Sequence, residues 1–561
     1  ANTLTRPLND FGAVLSVTKS SGGTWILPAG SNFSGTLTVS GGFLGVPGAT
    51  PSFSGGITMS NAAIFATNSS GLSIPNAITI NNAVMAGFSG SSAITITGGM
   101  SGAGGGPNPW TIVNTIDSSA GASLTINANF TGAGSTAANT LTFAGTGVTN
   151  WNGSLIGASA AQYLAFSTSG TVYVGGSPVS GTNHTQTTFT QGRVVNSRAG
   201  SLNPFGSYVN TSSFISLVGG SMETTVALTG ANILAQGAKL DGNYFSFAGA
   251  QSVELAGNTN AYSLMNNGAD RRFYNNLTGG SALTFSTQPV LLSDNITVSR
   301  TLTFAGAGST IISSAVTNMT AATTGLGSGL NYFGSGSLTL TAANTFGGSL
   351  TLGGGSTSLS GAGILAAGST ADATATANTT ANGNITIATA GVSSGFYISG
   401  ANITGAGLGT GSFVSGISSA TVLTIPQQVT TTATTYVLRG VVNAFGGASL
   451  RLDNSGTNTA NRLANRMLIL SGANLALIGN AAAVTTEGTS GAGGNLILGS
   501  GQSVFTLTNN GQTNTLNLGT FTSYQGGSIN VVSSGATLGA ANQIFFSTAP
   551  TLTPATTGIL P

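Results

Sequence analysis

The chain has 561 residues, of which only 4% are charged, 40% are hydrophobic and 87 are Gly. Ordinary soluble domains carry roughly 25% charged residues and ~7% Gly, so this composition favours one long repeat array over several compact globules. A net charge of +2, from 12 Lys+Arg against 10 Asp+Glu, offers no clustered basic footprint for nucleic acid, and the lack of Cys excludes disulfides, thiolate chemistry and Cys-ligated zinc.

Disorder is disfavoured as well, because Leu, Ile, Val and Phe recur at strand spacing. A near-neutral surface leaves little charge repulsion between copies and promotes association. No window of about 18 apolar residues occurs, so no transmembrane helix is expected. The opening ANTLTRPLND has neither Met nor an apolar run. The expectation is a mature exported chain whose leader is gone, or a trimmed one. The end, TLTPATTGILP, follows short repeats, so no outer-membrane barrel is expected there.

Residues 1–24 carry Leu4, Leu8, Phe11, Val14, Leu15 and Val17 together with Arg6, Asp10 and Lys19, and read as an arm or cap over the open end of a solenoid. Residues 25–186 read as regular solenoid. Leu37-Thr38-Val39 is followed by Ile57-Thr58-Met59 and then, after nearly the same interval, by Ile78-Thr79-Ile80. Ile94-Thr95-Ile96, Leu124-Thr125-Ile126 and Leu141-Thr142-Phe143 continue the series. A period of about 20 residues is too short for helical-hairpin repeats and suits one coil of two or three short strands. Each coil would pair in parallel with the last at about 4.8 Å, with apolar ladders inside and Ser, Thr and Asn outside. Between Ser20 and Gly192 the only charged residue is Asp117, so ladders and backbone hydrogen bonds must hold this wall. Residues 102–110, GAGGGPNPW, read as a loop, because Pro107 and Pro109 do not suit a central strand.

Residues 187–300 hold half of the charged residues, among them Arg193, Arg198, Glu223, Asp270, Arg271 and Arg272. They read as solenoid with larger loops. Residues 301–370 return to regular repeats. In 336–363, GSLTLTAANTFGGSLTLGGGSTSLSGAG, Leu338/Leu340 and Leu350/Leu352 alternate with Ser and Thr, and Leu359 reopens the pattern one repeat on from Leu338. Residues 371–440 break the period and read as a small inserted β-sandwich or barrel. They resemble a short β-rich module of bacterial surface proteins and phage tail proteins at 392–396, 400–405 and 415–420. Residues 441–561 read as a C-terminal solenoid and tail. The fold class is thus all-β, a parallel β-helix or β-solenoid with one insertion.

Residues 336–355, GSLTLTAANTFGGSLTLGGG, resemble the autotransporter-associated β-strand repeat: Gly, a Leu-Thr-Leu strand, an Asn-Thr-aromatic turn, Gly-Gly, then a second strand. Residues 452–458, with Asn461-Arg462-Leu463, and the closing 545–552 resemble the distal part of large proteins of that family. The resemblance implies export, a right-handed parallel β-helix, a structural role at the cell surface and no catalytic residues. The chain departs from the autotransporter plan in showing no translocator barrel.

Few groups are able to supply chemistry. His184 is the only His, and no nucleophile-elbow context accompanies it. The intervals from Asp241 to Glu254 and from Glu254 to Asp270 match no single coil, so facing carboxylate pairs for glycoside cleavage are not expected. Asp270-Arg271-Arg272, with Arg300 nearby, reads as a salt-bridged loop or else a partner-binding patch. Asn129-Phe130-Thr131 and Asn295-Ile296-Thr297 match glycosylation acceptors, as many triplets do in so Asn-, Ser- and Thr-rich a chain. The expectation is no enzyme, no cofactor and no metal. The expected role is a subunit of a self-assembling extracellular filament, sheath or surface layer whose partners are its own copies. The alternative is an adhesin that carries a binding insertion on a solenoid stalk and meets surface glycans.

Overall fold

The computed structural model describes the chain apart from residues 82–83, 105–108, 133–138, 157–161, 177–183, 199–213, 230–233, 235–236, 258–261, 296–299, 319–327, 367–369, 377–383, 388–401, 405–415, 420–421, 425–433, 492, 524–525, 549 and 551–561. At 162, 184–185 and between 370 and 439 it describes backbone only. Apart from the 3-10 turn Ser118–Ala120, the elements are strands. Among the described residues they stack as the coils of a parallel β-solenoid, and the chain divides into two compact units, Ala1–Asn260 and Ala261–Pro561.

In the first unit the local rule is alternation. Leu37–Val39, Ile57–Met59 and Ile78–Ile80 each bury two apolar side chains around a half-buried Thr. These strands stack in register, Leu37 on Ile57 on Ile78 and Val39 on Met59 on Ile80, all parallel. One wall therefore holds Val17–Lys19, these three strands, Met100–Gly102, Phe130–Thr131 and Leu155–Ile156. A second wall runs through Thr24–Ile26, Gly42–Val46, Ala62–Ala66, Met85–Gly90, Pro109–Ile116 and Asn139–Gly145. A third holds Leu72–Ile74, Ile94–Ile96, Leu124–Ile126 and Val148–Trp151. Rings stack along the core, Phe143 to Phe166 at 5.9 Å and Phe166 to Phe189 at 5.3 Å between centroids. Such pairs add about 0.5–1.5 kcal/mol each beyond the area they bury.

Three sequence expectations need correction. Ile78 and Ile94 lie on different walls, since Ile94 stacks on Leu72 and Leu124. The period is not constant: Leu44 pairs in register with Ile64, whereas the longer path from Trp110 to its register partner Leu141 also makes one coil. Turns absorb the difference without disturbing the ladder, because lengthening a surface loop costs little. Pro109 opens the strand Pro109–Ile116 rather than lying in a loop, at the first position of a strand, where its missing N–H is tolerated.

In the second unit Ser309–Ile312, Ser337–Leu340, Ser356–Leu359, Ser449–Asp453, Asn474–Ile478, Gly501–Thr508 and Gly527–Ser534 form one wall. A ladder of Ile312, Leu340, Leu359, Leu452, Leu477 and Leu507 runs through it. Leu359 thus stacks on Leu340, and Leu338 stacks on Thr357, one dyad away from the pairing expected from the repeat between Leu338 and Leu359. Leu350–Leu352 belongs to another wall, between Gly329–Tyr332 and Val442–Phe445.

Leu350 and Val442 are register partners although a long excursion separates them in the chain. That excursion contains Thr370–Thr376, Asn384–Ile387, Asn402–Thr404, Gly416–Ser419, Val422–Thr424 and Thr434–Arg439, joined as one six-stranded sheet. Its pairings are antiparallel, unlike those of the coils. The described strands of the insertion form this single sheet.

A buried Asn stitch recurs in each unit. Asn114 donates Nδ2–H to Val148 O at 2.8 Å and Thr149 Oγ1 at 3.0 Å, and accepts from Ile116 N at 3.0 Å. Asn275 does the same with Ser309 O at 2.8 Å, Thr310 Oγ1 at 3.0 Å and Leu277 N at 3.1 Å. Each stitch is followed, at the same separation, by Thr-Leu-Thr-Phe-Ala-Gly, at 140–145 and 301–306. The closing Gly145 and Gly306 have φ of 108° and 102°, and a Cβ there would lie 2.0 Å from Asn114 O and 2.1 Å from Asn275 O. Only Gly fits both demands.

Candidate assembly surfaces and the insertion root

The last described coil consists of Phe521–Ser523, Gly527–Ser534 and Asn542–Phe546. Each strand pairs in parallel with the coil before it. One coil earlier, the inward Phe505, Leu507 and Leu516 are buried. Their register partners Val531, Ser533 and Ile544 are only half-buried, as are Phe521 and Phe546, whose rings meet edge-on at 5.8 Å. Leu538 and Phe545 stand 45% and 52% exposed beside them. No residue after Glu487 is charged. The described residues of this coil are therefore uncharged and less deeply buried than those of the coil before it.

The N-terminal arm ends the first unit differently. Lys19 occupies the inward position above Val39, is buried, and donates to Gly41 O at 2.5 Å and to Ser21 O. Burial lowers its pKa. Asp10 accepts from Ser34 Oγ at 2.6 Å, Ser34 N at 2.9 Å and Leu15 N at 2.7 Å. The Ser34 hydroxyl, followed by the Leu15 N–H, holds its carboxyl below the usual range. Asn9 accepts from Asn32 N at 2.8 Å, and Leu8 N donates to Ser31 Oγ at 3.1 Å. The loop pinned by these bonds points Phe11 and Val14 outward, 88% and 72% exposed.

Where the insertion leaves the coils, two buried arginines fill the gap. Arg466 donates to Ala366 O at 2.8 Å, Gly348 O at 2.6 Å and Phe346 O, and lies over the Phe346 ring at 5.0 Å. Arg462 donates to Gly363 O at 2.6 Å, Gly361 O at 3.1 Å, Asp453 O at 2.9 Å, Thr457 O at 2.8 Å and Asn454 Oδ1 at 3.0 Å. The buried Glu487 accepts from Arg462 N at 2.8 Å and Leu463 N at 2.9 Å. Burial pushes the Glu487 carboxyl up to about 7 and the Arg466 guanidinium down to about 10. Around the arginines Asn461, Ala464 and Asn465 have φ of 52°, 51° and 56°. Such strain costs about 1 kcal/mol or more per residue and persists only where surrounding bonds over-determine it. This clasp ties 346–366 to 453–466 across the excursion.

The residues singled out from sequence do not converge. His184 opens the strand His184–Asn196, and its side chain lies outside the described residues. Asp241 accepts from Ser216 Oγ. Asp270 accepts from Thr301 N at 2.7 Å, Arg271 donates to Asn267 O at 2.9 Å, and Arg272 donates to Tyr274 OH at 3.2 Å. Arg300 pairs with Asp294 at 2.7 Å. Arg193 grips Glu223 in a two-point pair at 2.5 and 2.6 Å. Asn129 is exposed and accepts from Ser154 N at 2.9 Å. Thr297 lies outside the described residues. Among the described residues no three His or carboxylate side chains gather as a metal site, and no helix is long and apolar enough to cross a membrane.

Sequence reasoning missed the clasp. Its one signal was the run Asn461-Arg462-Leu463, noted as part of a family resemblance rather than as a buried lock. It also missed the burial of Arg198, which lies over the Trp151 ring at 4.9 Å and donates to Gly175 O at 2.6 Å. Comparison with protein-family models, with curated proteins and with solved structures finds no match to this chain.

Proposed function

We propose that the chain is a structural subunit that assembles with its own copies into an extracellular filament, sheath or surface layer. The observation that carries this reading is the near-absence of charge: 12 Lys+Arg and 10 Asp+Glu in 561 residues, with Asp117 the only charged residue between Ser20 and Gly192. Walls so poor in charge leave little repulsion between copies and favour association. A contact between unlike surfaces propagates an open polymer when its rotation does not close a ring. The resemblance of residues 336–355 to an exported repeat family supports a place outside the cell. Electron microscopy of the purified full chain over a range of concentrations tests the reading. Filaments or sheets are expected, and monodisperse monomers at every concentration would contradict it.

The second reading is an adhesin, favoured by the antiparallel sheet of the insertion and the clasp at its root. Deleting the insertion, 371–440, should then abolish binding to surfaces while leaving assembly intact. Loss of assembly with binding retained would reject the adhesin.

A further inference from the structure

We infer that residues 461–466 act as a strap: they stand in for a missing strand of the third wall and hold together the coils on either side of the insertion, so that the insertion can be cut open without the second unit parting. The inference stays within that unit and rests on neither the assembly reading nor the adhesin reading.

Two walls cross the insertion by ordinary pairing. Leu350–Leu352 meets Val442–Phe445, and Ser356–Leu359 meets Ser449–Asp453, both in parallel register. The third wall does not. Ala343–Asn344 pairs with Ile364–Leu365, and further on Thr485–Glu487 pairs with Asn514–Leu518. Among the described residues no strand joins Ile364–Leu365 to Thr485–Glu487. Residues 461–463 fill that rank without forming a strand. Leu365 N donates to Arg462 O at 2.7 Å on one side, and Asn461 N donates to Thr486 O at 3.1 Å on the other. The Glu487 carboxyl takes up the N–H groups of Arg462 and Leu463, so the loop strands neither of these donors.

Side chains then reach where the backbone does not. Arg462 spans to Gly361 O and Gly363 O, Arg466 to Phe346 O, Gly348 O and Ala366 O, and Thr459 Oγ1 to Gly361 O at 3.1 Å. Each of these acceptors precedes the insertion in the chain, and each donor follows it. The bonds therefore bridge two stretches whose covalent link runs through the whole insertion. Hydrogen bonds from a charged donor are the stronger kind. The left-handed backbone at Asn461 and Ala464 is a strain that persists only because these bonds hold the loop. Thr370 and Arg439 are register partners in the first and last strands of the insertion, so its two ends leave the coils side by side. A break beyond that neck removes no contact between one coil and the next.

The test uses the full chain with a recognition sequence for a site-specific protease placed between Thr376 and Asn384, which lie in successive strands of the insertion. After complete cleavage, shown on a denaturing gel, the two pieces are expected to elute together from a sizing column in native buffer and to part only in denaturant. Pieces that separate on dilution in native buffer would overturn the inference. The variant carrying both Arg462→Met and Arg466→Met is cut in the same way, and its pieces are expected to separate at least about tenfold faster than those of the wild type in a fixed concentration of urea. Equal rates would show that the two paired walls suffice and would overturn the strap. If the double variant does not fold, Thr459→Val decides, since it removes one bridging bond at a half-buried site. Separation about threefold faster is expected, and an unchanged rate would overturn the strap.

Discussion

Arg466 is the sharpest test of how the coils continue across the insertion. Replacing it with Met keeps much of the length of the side chain and removes its three donors to Phe346 O, Gly348 O and Ala366 O. Each buried carbonyl left without a donor costs about 1–3 kcal/mol. Against this, burial already holds the guanidinium down at about 10 from 12.5, so removing the cation relieves about 3 kcal/mol of desolvation at ~1.4 kcal/mol per unit. Loss of the contact over the Phe346 ring adds about 1 kcal/mol, leaving a net destabilisation of about 4 kcal/mol when each of the three carbonyls costs about 2 kcal/mol. The assay is hydrogen exchange, read on 346–366 and 442–471. Faster exchange confined to those coils is expected, with far-UV circular dichroism unchanged. Arg451→Met is the control: its side chain is 47% exposed and its pair with Asp453 at 2.9 Å lies at the surface, so a change within about 0.5 kcal/mol is expected. If Arg466→Met were neutral or stabilising, the argument that backbone carbonyls at the insertion root depend on this cation would fail. Apolar replacement of a buried charge has that outcome in other settings.

Glu487 supplies a pH dependence. Its folded pKa of about 7 lies above the ordinary 4.5, so the native state holds the proton more tightly. The stabilisation is fully present below about pH 4.5 and is lost as pH rises through 7, about 3 kcal/mol in all. Glu487→Gln should flatten urea midpoints between pH 5 and 8, and an unchanged slope would refute the assignment. Leu340→Ala opens a cavity between Ile312 and Leu359 and should cost about 2–5 kcal/mol in chemical unfolding, whereas Thr339→Ala on the outer face should cost less than about 0.5 kcal/mol. Asn275→Ala strands Ser309 O and Leu277 N and should lower stability by about 2–4 kcal/mol. Asn114→Ala should do the same in the other unit, and a neutral result at both sites would dismiss the stitch as incidental.

The strands were legible because a pleat repeats every two residues and each coil spells that rule locally, as in Leu37-Thr38-Val39. The walls were not. Ile78-Thr79-Ile80 and Ile94-Thr95-Ile96 are identical in pattern, yet they stack in different columns, and only pairing with distant coils separates them. The spacing from Leu338 to Leu359 misled for the same reason: a shift of one dyad preserves which face points inward, so Leu340 takes the partner instead. The Arg462 and Arg466 clasp was hidden more deeply. A charge in sequence reads as surface, and the acceptors Gly348, Gly361 and Gly363 lie on the far side of the excursion. The exposed Phe11 and Val14 were visible as apolar residues of an arm, but nothing in their spacing says that Asp10 turns them outward.

The central claim is that within each unit successive coils stack in parallel, and the proposed assembly joins copies along that stacking direction. X-ray diffraction from oriented, hydrated assemblies of the full chain tests that most directly. Strand spacing along the assembly axis should give a sharp reflection at about 4.8 Å on the meridian. The same spacing found only on the equator would mean that strands run along the axis and would contradict the claim.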